Sequence, residues 1–593
     1  SWAFFSMKRF ALSPQGLHIY ASARKLLGMV DRWGDKIASF MSSKGKYVLC
    51  FILYVMFLYV YFFAICGIPC DGASRELLAY KNEEAAIAAE GWMVFSIILA
   101  GVYVIGMIGL HRFSSSVLNK AFIFIALNAM VFYGFSIPVN SNLNKNDWWV
   151  GLHEYSHWDI VLDMWDNGFF VSPPKFSDGA YNFANQYYQN KLWHYCVTLF
   201  AKFNYIFCNG ADMTPMAYFA TRGYPNVTAR LDLALESIKI FQAMIGFWIY
   251  ILTYCLFKHL GLKGWRLTVA TGLLCLFPFY MYLPFIYNND AMMLMWCLAA
   301  LCMALTYRKS GKLRHAVWTA IFLGLGMMTK INGGLFAFLI AFIFGLVLYE
   351  KSARDEKVAP FFRDMAVFAV IVFPLGLWYI IYQNVAFGVP FGYVLYPGNR
   401  YSGNYIDSSF FGAWNRYIAP LTSDFFLSPY KRDWGASIPA SYGNIDFNIW
   451  TGLFKSALFG DIVPSNFSLG PLVIVTRCTE LIRGFWSLMI VLFFFLLVWN
   501  LFASIFTRRR PDIPLIVFMA ILFIVTYANY VYFCIKFPFT STMHFRYTPM
   551  FIPLFFYVLG RGPIPLYSPW SPQEARFTRF KPVGRTCVAF ACD

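Results

Sequence analysis

Blocks of apolar residues, each roughly 17 to 25 long, recur along this chain between short charged or Pro/Gly-containing breaks, and an α-helix needs about 20 such residues to cross a bilayer core. The blocks predict about twelve spans, near 47–66, 92–111, 121–138, 237–257, 267–286, 290–307, 315–329, 332–349, 364–383, 485–506, 513–535 and 544–560. Composition agrees: 59% hydrophobic, 21% aromatic and 13% charged residues lie far outside the range of soluble domains. The chain therefore reads as an integral membrane protein.

A formal charge of +18 would suggest nucleic acid in a soluble protein, but in a polytopic one positive charge marks cytoplasmic loops. Lys and Arg cluster in the N-terminal segment (Lys8, Arg9, Arg24, Lys25, Arg32), at Arg112 and Lys120, at Lys258, Lys263 and Arg266, and in 308–314. They cluster again between Lys351 and Arg363, in 507–511 and after Arg561. Threading the spans alternately puts every cluster on one side, with both termini cytoplasmic. No nucleic-acid partner is expected.

The opposite face receives 67–91, the long segment 139–236, the turn at 285–290, MTKING (328–333), a second long segment 384–484, and 536–546. The run 191–207 resembles a span, but counting it would invert every later loop, so it reads as an interfacial or re-entrant helix. A short amphipathic helix with Trp158, Val161, Leu162 and Trp165 on one side is predicted to lie on the membrane. The chain starts without Met, shows no cleavable signal peptide, and ends in 570–593, which looks unlike a packed domain. Thirteen Cys are scattered mostly through apolar segments and read as small core residues.

One motif pulls towards a different chemistry. HEYSH (153–157) matches the H-E-x-x-H zinc signature: His at i and i+4 share a helix face, the Glu between them could activate water, and Asp163 could add a more distant ligand. Against it, Ile160 stands where zinc proteases with this Asp spacing use Gly for a turn. In the other predicted outer segments, Asn288, Asn289 and Asp290 immediately precede a span, and Lys330 sits at the end of another.

Taken in order, the segments resemble a known family: the bacterial polyprenyl-phosphate-sugar-dependent glycosyltransferases of the GT-C fold, in the protein O-mannosyltransferase-like and aminoarabinose-transferase-like superfamily. The resemblance runs from about 121 to 560. It rests on His153-Glu154 after a core span, on Gln186-Tyr187-Tyr188 through Leu192 and His194, and on YNNDAMML. LGLGMMTKINGG, 374–394, 446–461 and HFRYTPMF (544–551) continue it. Three features depart from the pattern: Glu154 stands for the usual Asp, Asn190-Lys191 replaces a Pro-Pro, and two extra spans precede the core.

The resemblance implies an all-α polytopic GT-C-like protein of about twelve transmembrane helices, with two long extracytoplasmic loops carrying interfacial helices. Its expected organisation is an N-terminal segment with two extra helices (1–120), a membrane core (121–383) with the first outer loop at 139–236, and a second loop (384–484). C-terminal helices (485–560) and a cytoplasmic tail (561–593) follow. The implied activity moves a hexose or pentose from a polyprenyl-phosphate donor to a glycan, glycolipid or protein acceptor, at the outer face of a bacterial plasma membrane.

Because a lipid phosphate leaves without strong protonation, such a site needs one carboxylate base and cations for the leaving charge, unlike the paired acids of glycoside hydrolases. Glu154 is the first candidate base, followed by Asp147 and Asp159, with His153 beside it. Lys330, Arg400 and Arg546 are candidates for the phosphate; Asn289, Asp290, His157, Tyr188 and His194 for the donor sugar and its surroundings. No cofactor is required, and a divalent metal, for which His153 and His157 are the alternative ligands, is not expected to be essential. The rival readings are an HExxH membrane metalloprotease and a lipid-linked-sugar flippase; the latter would place polar or broken helices at the midplane, whereas polar residues here gather at span ends.

Overall fold

The computed structural model describes residues 44–60, 82–136 apart from 115, 160–165 apart from 162, 168, 188–209, and 228–391 apart from 286 and 287. It also describes 393, 412–418, 448–459, 473–506, 513–548 apart from 539, and 551–563. Among these residues the structure is helical, with no strand, as an all-α polytopic GT-C-type protein requires. Hydrocarbon offers no partner to a free N–H or C=O, and helices satisfy both within one segment.

The helices are α1 (Lys44–Val60), α2 (Asn82–Phe113), α3 (Val117–Ser136), α4 (Leu192–Asn209), α5 (Thr228–His259), α6 (Gly264–Leu276), α7 (Pro278–Tyr282) and α8 (Asp290–Ser310). They continue with α9 (Leu313–Thr329), α10 (Phe336–Ser352), α11 (Ala359–Phe387), α12 (Ile449–Phe459), α13 (Val473–Phe506), α14 (Ile513–Lys536) and α15 (Phe551–Arg561). By length and composition, five described segments can cross a membrane: Ile238–His259, Asp290–Ser310, Ile331–Ser352, Ala359–Phe387 and Pro514–Lys536. A sixth is a broken one, Gly264–Leu276 followed by Pro278–Phe285, bent by 58°. Pro278 starts α7, where its missing N–H costs nothing, but the residue before a proline cannot stay helical, so the span breaks there.

Five shorter apolar helices and α9 underlie the remaining expected spans, and the last of these differs from expectation. Residues 540–547 form two 3₁₀ turns, Thr540–Met543 and Phe545–Tyr547, and only Phe551–Arg561 is α-helix. Those 11 residues rise about 16 Å, short of the roughly 30 Å core. The segment still runs from end to end of the bundle: Tyr547 lies beside Lys330, while the Tyr557 hydroxyl donates to Leu260 O (3.4 Å) and Asn500 Nδ2 to Gly562 O (3.3 Å).

The centre of the bundle is α5, packed on α2, α3, α4 and α8 and on the 3₁₀ turn Leu283–Phe285. Helix α9 lies between α8 and α11, α6 joins α3 to α15, and α12 sits on α7 and both late 3₁₀ turns. Helix α4 buries Trp193, His194, Val197 and Ala201 against this core and leaves Leu199 and Phe203 outside. The described part of the expected surface helix packs inward too: Ile160, Val161 and Met164 are buried, and Val161 O accepts from Thr198 Oγ1 of α4 (3.4 Å). Of the side expected to lie on lipid, Val161 is buried and Trp165 is half-buried against the core, while Trp158 and Leu162 lie outside the described residues.

The basic loops meet at one end of the bundle, as alternate threading demands. Arg308 at the end of α8 pairs with Glu350 at the end of α10 (2.5 Å), and Lys309 Nζ lies 3.2 Å from His259 Nδ1 at the end of α5. Near the start of α11, Asp364 accepts from Tyr307 OH (3.1 Å) and Arg363 (2.9 Å). The start of α8 and the end of α9 are therefore at the opposite end.

Candidate functional site

That opposite end is built around the start of α8. Asn288 Oδ1 accepts from the Asp290 N–H (3.0 Å), capping the first turn, while Asn289 Nδ2 donates to Thr329 O (3.0 Å) and so ties α8 to the last turn of α9. Both asparagines are buried, and two of their side-chain atoms, Asn288 Nδ2 and Asn289 Oδ1, have no hydrogen-bond partner among the described residues. Buried amides are ordinarily satisfied, so two open positions side by side mark a place where a polar ligand would be welcome.

Helix α9 stops at Lys330, whose backbone is extended (φ −156°, ψ 133°), and the chain turns back as a 3₁₀ helix, Ile331–Leu335. Glycine makes that turn possible: a Cβ on Gly333 would lie 2.7 Å from the carbonyl carbon of Gly326 and 2.8 Å from its oxygen. The turn aims Lys330 at α8, where its ammonium meets Asp290 Oδ1 at 2.6 Å, with side-chain exposures of 10% and 3%. An acidic side chain in the first turn is also favoured by the helix dipole.

On its other side Lys330 lies 5.3 Å from the centre of the Tyr547 ring, and the Arg546 guanidinium lies 5.0 Å from the same centre. The two cations are therefore no more than about 10 Å apart. Arg546 also donates to Tyr547 OH (3.1 Å), and its backbone N–H donates to His544 Nδ1 (3.0 Å). The turn that carries them is held from below: Phe545 N–H donates to Ser456 Oγ of α12 (2.9 Å), and Tyr530 OH of α14 donates to Ile449 O (2.6 Å).

The tyrosine-rich box docks on the same end. Asn190 Nδ2 donates to Met327 O, one turn before Lys330. Tyr188 packs edge-on to Tyr393 (5.7 Å) in a small cluster with Ile160, Met164 and Val389. Lys191 is buried, which pushes its ammonium well below the ordinary lysine range; the Asp163 carboxylate acts the other way. His194 lies inside the core, its ring edge-on to Trp193 (5.1 Å).

Of the residues singled out from sequence, Lys330, Asp290, Asn289 and Arg546 come together. Tyr188 joins them through the Asn190 contact, and His194 lies within α4. Asp147, His153, Glu154, His157, Asp159 and Arg400 lie outside the described residues. Sequence reading passed over Tyr547, though it follows Arg546 directly, and counted Asn190 and Lys191 only as departures from a pattern. Among the described residues no group of three His, Cys, Asp or Glu is arranged to hold a metal, and Asp163 faces Lys191.

Comparison with known proteins adds one finding. Residues 212–378 match the family model of dolichyl-phosphate-mannose-protein mannosyltransferases. No curated protein and no solved structure matches the chain. The matched stretch, somewhat more than a quarter of the chain, holds α5 to most of α11, with Asn289, Asp290 and Lys330 inside it and Arg546 beyond it. With the all-helical polytopic architecture, it supports a GT-C-fold membrane glycosyltransferase.

Proposed function

We propose that this chain transfers a hexose or pentose from a polyprenyl-phosphate donor to a glycan, glycolipid or protein acceptor, on the extracytoplasmic face of a bacterial plasma membrane. The observation that carries the reading is the convergence of Lys330 and Arg546 on one tyrosine ring, at the bundle end remote from the basic loops, beside two open asparagine amide positions. A phosphodiester headgroup presents the matching chemistry: anionic oxygens for the cations and sugar hydroxyls for the amides.

In the reaction, an acceptor oxygen or nitrogen attacks the anomeric carbon and the bond from that carbon to the phosphate oxygen breaks. The electron pair stays on the phosphate, which leaves as a lipid monophosphate, and the acceptor proton passes to a carboxylate, for which Glu154 is the candidate with Asp147 second. Direct displacement inverts the anomeric centre. Lys330 and Arg546 stabilise the charge that grows on the leaving oxygens, and Arg400 is a further candidate for it. The isoprenoid tail would lie laterally among the Phe-rich helices.

The test is transfer from a panel of radiolabelled polyprenyl-phosphate sugars in proteoliposomes, for wild type, Glu154→Gln and His157→Ala, each with and without chelator. The reading expects loss with Glu154→Gln and little effect of chelator or His157→Ala. Copurifying zinc that is lost with His157→Ala, in a protein that transfers no sugar, would turn attention to the protease reading.

A further inference from the structure

Gln383 stands near the C-terminal end of α11, buried at 2% exposure. One end of its amide lies 2.7 Å from the Tyr379 hydroxyl, a turn earlier on the same helix, and the other end has no hydrogen-bond partner. With Nε2 donating to the hydroxyl oxygen, Oε1 is an open acceptor, and among the described residues the Tyr379 O–H meets no acceptor either. With the amide turned over, the hydroxyl donates to Oε1, its oxygen can still accept, and Nε2 becomes the open donor. In either state the pair presents one donor and one acceptor side by side. A ligand hydroxyl, which both donates and accepts, satisfies the two together.

The end of α11 holds the pair in place. Val389 N–H donates to Gln383 O (3.4 Å), Gly388 N–H to Asn384 O (3.0 Å) and Asn384 Nδ2 to Val389 O (2.9 Å), and Gly388 closes the helix at φ 71°. The surroundings are aromatic. The Tyr382 ring lies 6.1 Å and the Trp378 ring 5.4 Å from that of Tyr379, and Tyr195 of α4 is close enough to both Tyr379 and Tyr382 to interact with them electrostatically. Tyr195 also packs on the cluster of Tyr188 and Val389, so the tyrosine-rich box meets this end of α11. Tyr382 is 38% exposed and Tyr195 half-buried, and through them the cluster reaches the surface.

Helix packing sets where this pair stands. A Cβ on Gly376 would lie 2.9 Å from Met327 Sδ, so α11 meets α9 one turn before Lys330. Both helices run away from the basic end, and Tyr379, three residues after Gly376, is about 4.5 Å further along, level with Lys330. Because α9 lies between α8 and α11, the pair is across the last turn of α9 from Asn288 and Asn289, about one helix diameter or ~10 Å away. We infer that Tyr379 and Gln383 bind a hydroxyl of the acceptor, and that the acceptor is a saccharide whose ring stands against Tyr382 and Tyr195. The inference rests on the donor reading above, which gives Asn288 and Asn289 to the donor's own sugar. Aromatic faces receive the apolar C–H face of a sugar ring while its hydroxyls reach the polar pair. The part bound here is remote from the donor, so it positions the acceptor and takes no part in bond making.

The experiment titrates the full chain in nanodiscs, without donor, with short neutral hexose and N-acetylhexosamine oligomers and with an unglycosylated Ser/Thr peptide. Wild type is expected to bind at least one oligomer and to bind it more tightly than the peptide. Gln383→Met and Tyr379→Phe, each close to the original side chain in volume, are expected to weaken that binding about five- to tenfold, the scale of one hydrogen bond. Ile381→Ala, at an exposed position of the same helix turn, is expected to bind as wild type does. Binding of no oligomer overturns the inference, as does undiminished affinity in a folded Gln383→Met or Tyr379→Phe; the open amide would then hold a water only. Tighter binding of the peptide overturns it in favour of a protein acceptor. Should Gln383→Met fail to fold, Tyr379→Phe decides. No donor is present, so failure to bind saccharide overturns this inference alone, whereas the donor reading fails separately if no polyprenyl-phosphate sugar is transferred.

Discussion

At the scale of single residues, the Lys330–Asp290 pair can be separated into a structural and a functional part. Removing one partner leaves a buried charge uncompensated, a loss of about 3–5 kcal/mol, whereas replacing both with apolar residues of similar volume is often neutral. Lys330→Met alone should therefore lower the unfolding midpoint in detergent, and Lys330→Met with Asp290→Leu should recover most of it without recovering sugar transfer. Asn289 offers a milder case. Asn289→Ala loses its bond to Thr329 O, about 1 kcal/mol, and should lower kcat/KM more than stability if its open Oδ1 receives a donor hydroxyl. Kinetics and thermal unfolding on the same preparation check this. The polar residues flanking apolar runs made Asn289, Asp290, Lys330 and Arg546 legible in the sequence. That Lys330 meets Asp290, 40 residues earlier, and shares Tyr547 with Arg546 was not legible, because no local pattern encodes a contact between distant helix ends.

At the scale of elements, two tight connections position the site. Gly333→Ala would drive a Cβ into the backbone of Gly326, which cannot rotate away as a side chain could. It should cost about 1–3 kcal/mol and shift Lys330 off Asp290, seen as a large fall in transfer with a smaller fall in unfolding midpoint. Ser456→Ala removes the acceptor for the Phe545 N–H and should loosen the turn bearing Arg546, raising donor KM several-fold while leaving helix content by circular dichroism unchanged. The sequence reads the apolar runs around these turns well, since hydropathy reports burial in lipid. It cannot tell an α-helix from the two 3₁₀ turns in 540–547, where the Phe545 N–H donates to Ser456 Oγ and Tyr530 OH donates to Met543 O, fixing the backbone against a helix-compatible composition.

At the scale of the whole molecule, the charge pattern and the architecture agree. The clusters at Lys258, 308–314 and Lys351–Arg363 gather at one end, and Lys330, Asp290 and Arg546 at the other. This much was legible because alternate crossing and basic loops are both global properties of the sequence. The reading of the Lys330 end as extracytoplasmic makes a direct prediction for intact cells. On a cysteine-free background an impermeant maleimide should label Phe391→Cys, an exposed position just beyond the C-terminal end of α11, and spare Lys312→Cys in the basic turn after α8.

The central claim, that this end of the bundle holds a lipid-phosphate sugar donor through Lys330 and Arg546, is tested most directly by one kinetic comparison. Steady-state transfer from the preferred polyprenyl-phosphate sugar is measured in proteoliposomes for wild type and Arg546→Gln, with unfolding midpoints recorded alongside. The account predicts that Arg546→Gln stays folded and loses about a hundredfold or more in kcat/KM, the scale set by removing one charge-stabilising donor. A folded Arg546→Gln that transfers sugar at the wild-type rate would contradict it.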